Sequence, residues 1–218
     1  MAKRMIVTGA AGILGGVVAG HLAQLGHDVI GMDLAERPDG FPCSFIGNVD
    51  LTCERSTADA VAQVGGPVHG LACIAGGFVW ETVSEGSIDS WTRMHAMNVT
   101  TALVACRAVL PLMPNGGSIV NIGAAATVRA GAGMGAYTAS KSGVARLTEA
   151  LAEEHKGVIR VNAVLPSIID TPANRADMGE ADAGKWVTPL ELAKVIAFLL
   201  SDEASAITGA LIPVTGRV

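Results

Sequence analysis

Short apolar runs rich in β-branched residues alternate with helical patterns along the chain. The runs predict strands, and helices are predicted over about residues 15–25, over about 90–112 and around residues 137–141. Runs that are apolar throughout are typical of strands buried on both faces of a parallel sheet. We therefore predict a single-domain α/β fold over residues 1–218, with a doubly wound parallel seven-stranded sheet and a ligand crevice at the carboxyl ends of its strands. The predicted strands are 5–7, 28–32, 44–46, 70–74, 118–122, 158–164 and 210–214.

Charge and cysteine content narrow the classes of function. Fifteen basic against 20 acidic residues give a net charge of −5, which offers no electrostatic footprint for nucleic acid. Without a polybasic run, a signal-peptide pattern or an apolar run of membrane-spanning length, no membrane partner is expected. The four cysteines lack CxxC spacing, so we expect no metal site, reduced thiols and a cytoplasmic location. The expected partner is a small-molecule substrate.

A glycine-rich turn follows the first predicted strand and opens the first helix. Gly9, Gly12 and Gly15 lack side chains, so the backbone of this turn, with Ile13 and Leu14, can approach a pyrophosphate at the helix N-terminus. Glycines also serve tight packing between a strand and a helix, which is the alternative explanation. The position directly after the first strand favours a dinucleotide-binding turn of the Rossmann type.

An acidic residue ends the second predicted strand, 18 residues after Gly15. The Asp33 carboxylate is expected to accept hydrogen bonds from the ribose hydroxyls and to repel a 2′-phosphate, which favours NAD (NADH) and makes NADP less favoured. Arg37 lies close enough in sequence to leave NADP open, and Asp33 also fits a plain loop or capping residue. Asn48 and Val49 follow the third strand, where they would meet the adenine or form an ordinary turn.

Further cofactor candidates follow the fourth and sixth predicted strands. Small residues after strand four let the chain pass close to a ribose, although a structural turn would look the same. After strand six, a threonine hydroxyl or nearby backbone groups are candidates to hold the nicotinamide carboxamide, against a capping role for the threonine. These candidates are Ala75, Gly76, Gly77, Pro166, Ile169 and Thr171.

A tyrosine and a lysine lie one helical turn apart after the fifth strand. Tyr137, the only tyrosine of the chain, and Lys141 share one helix face. An ammonium near a phenol favours the phenolate, so we expect Lys141 to lower the pKa of Tyr137 and to prepare it for proton transfer near neutral pH.

These motifs in this order resemble the short-chain dehydrogenase/reductase family over nearly the whole chain. The resemblance implies an NAD(P)-dependent oxidoreductase in which Tyr137 exchanges a proton, Lys141 binds the nicotinamide ribose, and Asn98 holds a water of a proton relay. It also implies pairing of subunits into a homodimer or homotetramer. The chain departs from the usual pattern at Ile13, which stands where a glycine is usual, and at Cys73-Ile-Ala-Gly76, which replaces Asn-Asn-Ala-Gly.

The family's catalytic serine is replaced here by Ala124, thirteen residues before Tyr137. Several segments, at 73–78, 123–126, 131–137 and 164–175, are similar to dihydropteridine reductase, which also has alanine at this position, although Asn98 is not expected in that reductase. Loss of one such donor typically costs about 10²–10³ in rate. A quinonoid dihydropterin is an electron-poor imine that needs less of this help.

Residues near the crevice mouth are candidates to contact that substrate. The polar segment 172–188 after strand six is predicted to form a lid. Each candidate has a plain alternative as a packing or capping residue, and Thr127 is a candidate substitute for the missing hydroxyl. The alternative functions are an alcohol dehydrogenase or ketoreductase acting without the serine, and a non-catalytic NAD-binding regulator. The substrate candidates are Phe78, Ala124, Asn174, Arg175 and Trp186.

Overall fold

A computed structural model describes residues 2–218 and has the predicted architecture, a seven-stranded parallel sheet in the order β3-β2-β1-β4-β5-β6-β7. The strands are β1 (Arg4–Thr8), β2 (Asp28–Met32), β3 (Ser44–Ile46), β4 (Gly70–Cys73), β5 (Gly117–Ile122), β6 (Ile159–Pro166) and β7 (Leu211–Val214). The helices are α1 (Ile13–Gln24), α2 (Glu54–Ala62), α3 (Ile88–His95), α4 (Thr101–Val109), α5 (Gly135–Glu154), α6 (Pro172–Met178) and α7 (Pro189–Leu200).

Two helical layers cover the sheet because successive strand residues point to opposite faces. In β1, Met5 and Val7 belong to the apolar core shared with α1 and α7, whereas Ile6 belongs to the core shared with α2, α4 and α5. The chain order reverses between β1 and β4, which opens a crevice at the carboxyl ends of these neighbouring strands. The fold prediction is confirmed. No helix among residues 2–218 is long and apolar enough to cross a membrane.

Several helical features were not anticipated from the sequence. Helices α2 and α7 were not assigned, and the predicted 90–112 helix is divided by a π-helical turn at Ala96–Thr100. The predicted lid, residues 172–188, contains α6 and a 3₁₀ turn, Ala183–Lys185, which were not assigned from the sequence. The π-helical turn matters for the site, because it carries Asn98 and π-bulges are frequent at functional positions.

The turn between β1 and α1 leaves no room for a side chain at two of its three glycines. Gly9 adopts a φ of +66°, and a Cβ placed on it would lie 2.6 Å from the backbone nitrogen of Ala75. A Cβ on Gly15 would collide with the carbonyl oxygen of Gly9. Two of the three glycines are therefore required by backbone-to-backbone contact.

We predict that Gly15→Ala lowers the free energy of unfolding by at least about 2 kcal/mol, because the new methyl group must displace the Gly9 carbonyl. Gly16→Ala is the matched control, since a Cβ there lies at an ordinary 3.7 Å from the Ala10 carbonyl oxygen. In the interior of α1 that substitution is expected to stabilise by roughly 0.5–1 kcal/mol. Denaturant unfolding measures both, and equal effects of the two substitutions would contradict the steric argument.

Candidate active site

The predicted catalytic pair lies together at the carboxyl end of β5. Lys141 is only 6% exposed, and its Nζ atom donates a 2.9 Å hydrogen bond to the carbonyl oxygen of Ile122, the last residue of β5. The same Nζ atom lies 6.0 Å from the centre of the Tyr137 ring. A Cβ placed on Gly76 would lie 3.4 Å from it. The ammonium thus lies between the Tyr137 ring and the loop after β4.

Burial controls the titration of both groups. It raises the pKa of the Tyr137 phenol to about 12 and lowers the pKa of the Lys141 ammonium to about 8. The expectation of a lowered pKa at Tyr137 is therefore wrong in the absence of bound cofactor. The phenolate loses hydration on burial, and this effect is larger than the attraction of an ammonium 6.0 Å from the ring centre. A phenol with a pKa this high keeps its proton near neutral pH, so the expected role of Tyr137 as a proton donor remains open to it.

Asn98 joins the loop after β4 to α5, the helix that carries Tyr137 and Lys141. Its Oδ1 atom accepts from the Gly77 backbone N–H at 3.0 Å, and its Nδ2 atom donates to the Gly77 carbonyl at 3.1 Å and to Ser140 Oγ at 2.9 Å. Ser140 Oγ in turn donates to the Tyr137 carbonyl at 2.7 Å. The side chain of Asn98 is therefore engaged in positioning, and its predicted contact with a relay water remains an expectation.

The place of the usual serine is occupied by a buried methyl group. Ala124 lies two residues beyond β5 and is 3% exposed. The hydroxyl of Thr127 donates to the Ala124 carbonyl at 2.8 Å, so it is already engaged in its own turn. The ring of Phe78, in contrast, is more than half exposed and meets the Tyr137 ring edge to face, with centroids 4.9 Å apart.

The N-terminus of α1 fits a bound pyrophosphate. Its capping residue, Gly12, offers no side-chain acceptor, and the first helical turn has no acidic residue. Helix α7, by comparison, satisfies its N-terminus with a capping box formed by Thr188 and Glu191. The first N–H groups of α1 are thus available to an anion, at the crevice where the sheet order reverses. With the glycine turn described above, the residues present fit a dinucleotide.

Asp33 lies beside this turn. Its carboxylate accepts hydrogen bonds of 3.0 Å from the backbone N–H groups of Ala11 and of Ala35. Arg37, the residue that left NADP open, donates from Nη2 to the carbonyl of Phe41 at 2.9 Å and so is tied into its own loop. The charge nearest to the turn is consequently negative.

Asn48 and Val49 follow β3 closely, and Asn48 adopts a special backbone conformation. Asn48 has a φ of +58°, in the left-handed region. The buried Val49 donates from its backbone N–H to the Asp33 carbonyl at 2.9 Å. Both line a surface depression of about 440 Å³ between β3 and α2. This depression adjoins Asp33, where an adenine is expected.

The predicted residues after β6 are engaged with one another. Thr171 caps α6 by accepting from the Asn174 backbone N–H at 3.2 Å, and Asn174 Nδ2 donates to the Ile169 carbonyl at 2.8 Å. Arg175 forms a two-pronged ion pair with Asp170 at 2.6 and 2.8 Å. Pro166 is the last residue of β6. These contacts within the chain hold the segment at the edge of the crevice without any bound substrate.

Trp186 is buried, unlike the exposed Phe78 ring. It is 3% exposed, so the indole would need to displace its covering residues before it could stack on a substrate. The burial of Trp186 therefore does not support its predicted contact with a substrate. Among residues 2–218, no group of three or more His, Cys, Asp or Glu side chains is arranged to hold a metal ion.

Sequence reasoning missed three residues that organise the site. Thr8 Oγ1 accepts from the Ile74 and Ala75 N–H groups at 3.1 and 3.3 Å, which joins the turns after β1 and β4. Ser140 links Asn98 to the catalytic helix, and Asp170 holds Arg175. Thr8 and Ser140 adjoin the motif residues Gly9 and Lys141, so their positions were a usable signal, whereas the Asp170–Arg175 pair required the geometry of α6.

We predict that wild-type stability, relative to a Lys141→Met variant, increases between about pH 7 and about pH 10. The folded-state pKa of Lys141 is about 8, below the ordinary 10.5, so in that window the unfolded chain binds more protons and rising pH favours folding. The expected change is about 2–3 kcal/mol. Denaturant unfolding of both proteins at the two pH values measures it. A stability difference that does not change with pH would contradict burial of a titrating lysine.

Comparison with known proteins gives matches along almost the entire chain. The family model described as Enoyl-(Acyl carrier protein) reductase matches residues 9–216. A short-chain dehydrogenase/reductase of Talaromyces verruculosus is 34% identical over 245 residues, which cover 96% of this chain and 94% of that protein. The meso-2,3-butanediol dehydrogenase of Serratia marcescens is 32% identical, with 98% of this chain and 93% of that protein covered.

Solved structures agree with the sequence matches. The ligand-free aldohexose dehydrogenase of Thermoplasma acidophilum superposes with a TM-score of 0.90 at 27% identity, covering 99% of this chain and 93% of its own. Family model, full-length relatives and structural neighbours thus lead to one conclusion: the chain belongs to the short-chain dehydrogenase/reductase family and is an NAD(P)-dependent oxidoreductase.

Proposed function

We propose that this oxidoreductase uses NADH to reduce an electron-poor, conjugated acceptor, an activated imine or quinonoid ring such as a quinonoid dihydropterin. The observation that carries the proposal is the pairing of Tyr137 with Lys141, whose Nζ atom lies 6.0 Å from the ring centre, together with the buried Ala124 in place of the usual serine. The chain keeps its acid and lacks the usual second donor.

The chain's own residues have separable tasks in this reaction. The bound nicotinamide supplies the hydride that adds to the substrate carbon. Tyr137 gives its phenolic proton to the substrate nitrogen or oxygen, and the resulting phenolate is stabilised by the nearby positive charge of Lys141. The turn around Gly9, the uncapped N-terminus of α1 and Asp33 bind the adenosine and pyrophosphate groups.

The missing hydroxyl restricts which substrates react well. A ketone develops full negative charge on oxygen as hydride arrives, and removal of one donor there typically costs about 10²–10³ in rate. A quinonoid ring regains aromaticity when it accepts hydride, so its transition state is lower and depends less on a second donor. Tyr137 and Lys141 suffice for such a substrate.

Two further features support an activated acceptor. The segments shared with dihydropteridine reductase include the replacement of serine by alanine. The matching family description names an enoyl reductase, and an enoyl group is a C=C bond conjugated to a carbonyl, which is also an electron-poor acceptor. Phe78, exposed beside Tyr137, is our proposed contact for a flat ring, with Asn174 and Arg175 as polar contacts after movement of α6.

A second candidate is the oxidation of an alcohol. It is favoured by the names of relatives, which include a butanediol dehydrogenase and an aldohexose dehydrogenase. The buried methyl group of Ala124 weighs against it. A homodimer or homotetramer and a cytoplasmic location complete the proposal, on the family's usual behaviour and on the reduced thiols expected from the sequence.

We predict that Ala124→Ser distinguishes these candidates. The serine supplies the absent donor, so kcat/KM for simple ketones is expected to rise at least about tenfold, somewhat less than the full effect of one donor on the rate. For quinonoid dihydropterin, kcat/KM is expected to change less than about threefold, because this substrate depends less on the second donor. NADH oxidation by both proteins against quinonoid dihydropterin, quinones and a ketone panel measures this. Wild-type turnover of simple ketones alone would overturn the activated-acceptor proposal.

Tyr137→Phe is the control for the acid role in the same assay. It is expected to lower kcat far more than it weakens NADH binding, because the phenol acts only in proton transfer. Equal turnover by this variant would rule out the acid role. Tight NADH binding by the wild type without turnover of any substrate would favour a non-catalytic NAD-binding regulator.

We predict that Asp33→Asn shifts the cofactor preference toward NADPH. The substitution keeps one side-chain oxygen for the turn but removes the charge that repels a 2′-phosphate. The ratio of kcat/KM for NADPH to that for NADH is expected to rise about tenfold or more, corresponding to about 1.4 kcal/mol. Asp39→Asn removes the same charge from an exposed position of the following loop and serves as the control. An unchanged ratio in Asp33→Asn would contradict the assignment.

A further inference from the structure

The C-terminal tail, residues 215–218, is packed against the chain that leads into α7. A Cβ placed on Gly216 would lie 2.7 Å from the Lys185 carbonyl oxygen and 2.9 Å from the Val187 nitrogen. The backbone N–H of Arg217 donates to the same Lys185 carbonyl at 2.8 Å. The tail therefore contacts backbone atoms of residues 185–187 with no intervening side chain.

Residues 185–187 are themselves bonded to the crevice segment, residues 167–171, which follows β6. Val187 and Ile169 form a parallel bridge. The Val187 N–H donates to the Ile168 carbonyl at 3.1 Å, and the Asp170 N–H donates to the Val187 carbonyl at 2.8 Å. Val187 is thus hydrogen-bonded to the residues before and after Ile169, where the carboxamide of the nicotinamide is expected.

The tail also contacts the crevice segment directly and closes a ring of contacts. Ser167 Oγ donates to the Thr215 carbonyl at 2.7 Å. Arg217 Nη2 donates at 2.8 Å to Glu191 Oε1, while Glu191 Oε2 accepts from the Thr188 N–H at 2.9 Å. One carboxylate therefore joins the tail to the start of α7, next to Val187.

We propose that the C-terminal tail is a positioning element for the cofactor, in which Gly216 sets the location of Val187 and, through it, of the backbone at Ile169. The chain of contacts from Gly216 to Ile169 contains only backbone atoms and the buried Val187. A displacement at Gly216 is therefore passed to the carboxamide site with little absorption by flexible side chains. This inference rests on the proposed NADH-binding function of the crevice.

The experiment compares Gly216→Ala with Gly209→Ala. Both glycines have similar left-handed backbones, with φ of +71° at Gly209 and +68° at Gly216, so both variants carry similar backbone strain. A Cβ on Gly209 meets only the Ala152 side chain at 3.6 Å, an ordinary contact. The two variants therefore differ mainly in the collision with residues 185–187.

Two readouts are measured, together with thermal unfolding. We expect Gly216→Ala to bind NADH at least tenfold more weakly than Gly209→Ala, and its Asp170 and Val187 amides to exchange with solvent at least tenfold faster. A purely structural tail would lower the unfolding temperature alike in both variants and leave the NADH dissociation constant the same in both. Equal NADH binding or equal amide exchange in the two variants overturns the proposal.

Arg217→Met and Arg217→Lys keep the test decisive where Gly216→Ala does not fold. Loss of the bond to Glu191 is expected to weaken NADH binding two- to fivefold and to accelerate the same two amides, with recovery in the lysine variant. No change in either readout overturns the proposal. Failure of the wild type to bind NADH would remove the proposed function, and the exchange rates of Asp170 and Val187 would then decide separately whether the tail positions the segment.

Discussion

The buried ammonium of Lys141 is the interaction on which the catalytic half of the site depends. Removing this charge from water is unfavourable, and the Ile122 carbonyl supplies one hydrogen bond in partial compensation. The hydrogen bond joins the end of β5 to α5, and so sets the distance between the sheet edge and Tyr137. Because the Nζ atom also lies near Gly76, the same charge faces the loop where a ribose is expected. The buried Lys141 side chain therefore lies next to three parts of the candidate site, which are the end of β5, the Tyr137 ring and the loop at Gly76.

The electrostatics of this arrangement are consistent with a proton donor more than with a proton acceptor. A phenol whose pKa is raised to about 12 holds its proton at neutral pH and gives it up only when charge develops on a substrate. If Tyr137 acts as proposed, that developing charge meets one donor instead of two, because Ala124 stands in place of the serine. The substrate must then carry part of the activation itself. The proposal of an electron-poor acceptor thus follows from the loss of the serine hydroxyl.

Features of the site with a fixed local spacing were predictable from the sequence. Tyr137 and Lys141 lie one turn apart, and Gly9 and Gly15 permit a backbone contact that any larger residue would prevent. The pKa of Tyr137 was predicted in the wrong direction, because spacing on a helix gives proximity to a charge and says nothing about burial by the rest of the fold. Helix α2 was missed because its sequence, from Glu54 to Ala62, is mixed in polarity and buries only a few residues.

The two halves of the crevice are held by different kinds of contact. On the catalytic side, the side chains of Lys141 and Asn98 join α5 to neighbouring loops, so that a substitution there changes chemistry and position together. On the side where the carboxamide is expected, backbone hydrogen bonds between residues 168–170 and Val187 are joined by side-chain contacts of Asn174 and Arg175 with Ile169 and Asp170. Under the proposed function, substitutions remote from the reacting atoms are expected to act on cofactor binding through the second half, and the choice of acceptor is expected to depend on the first.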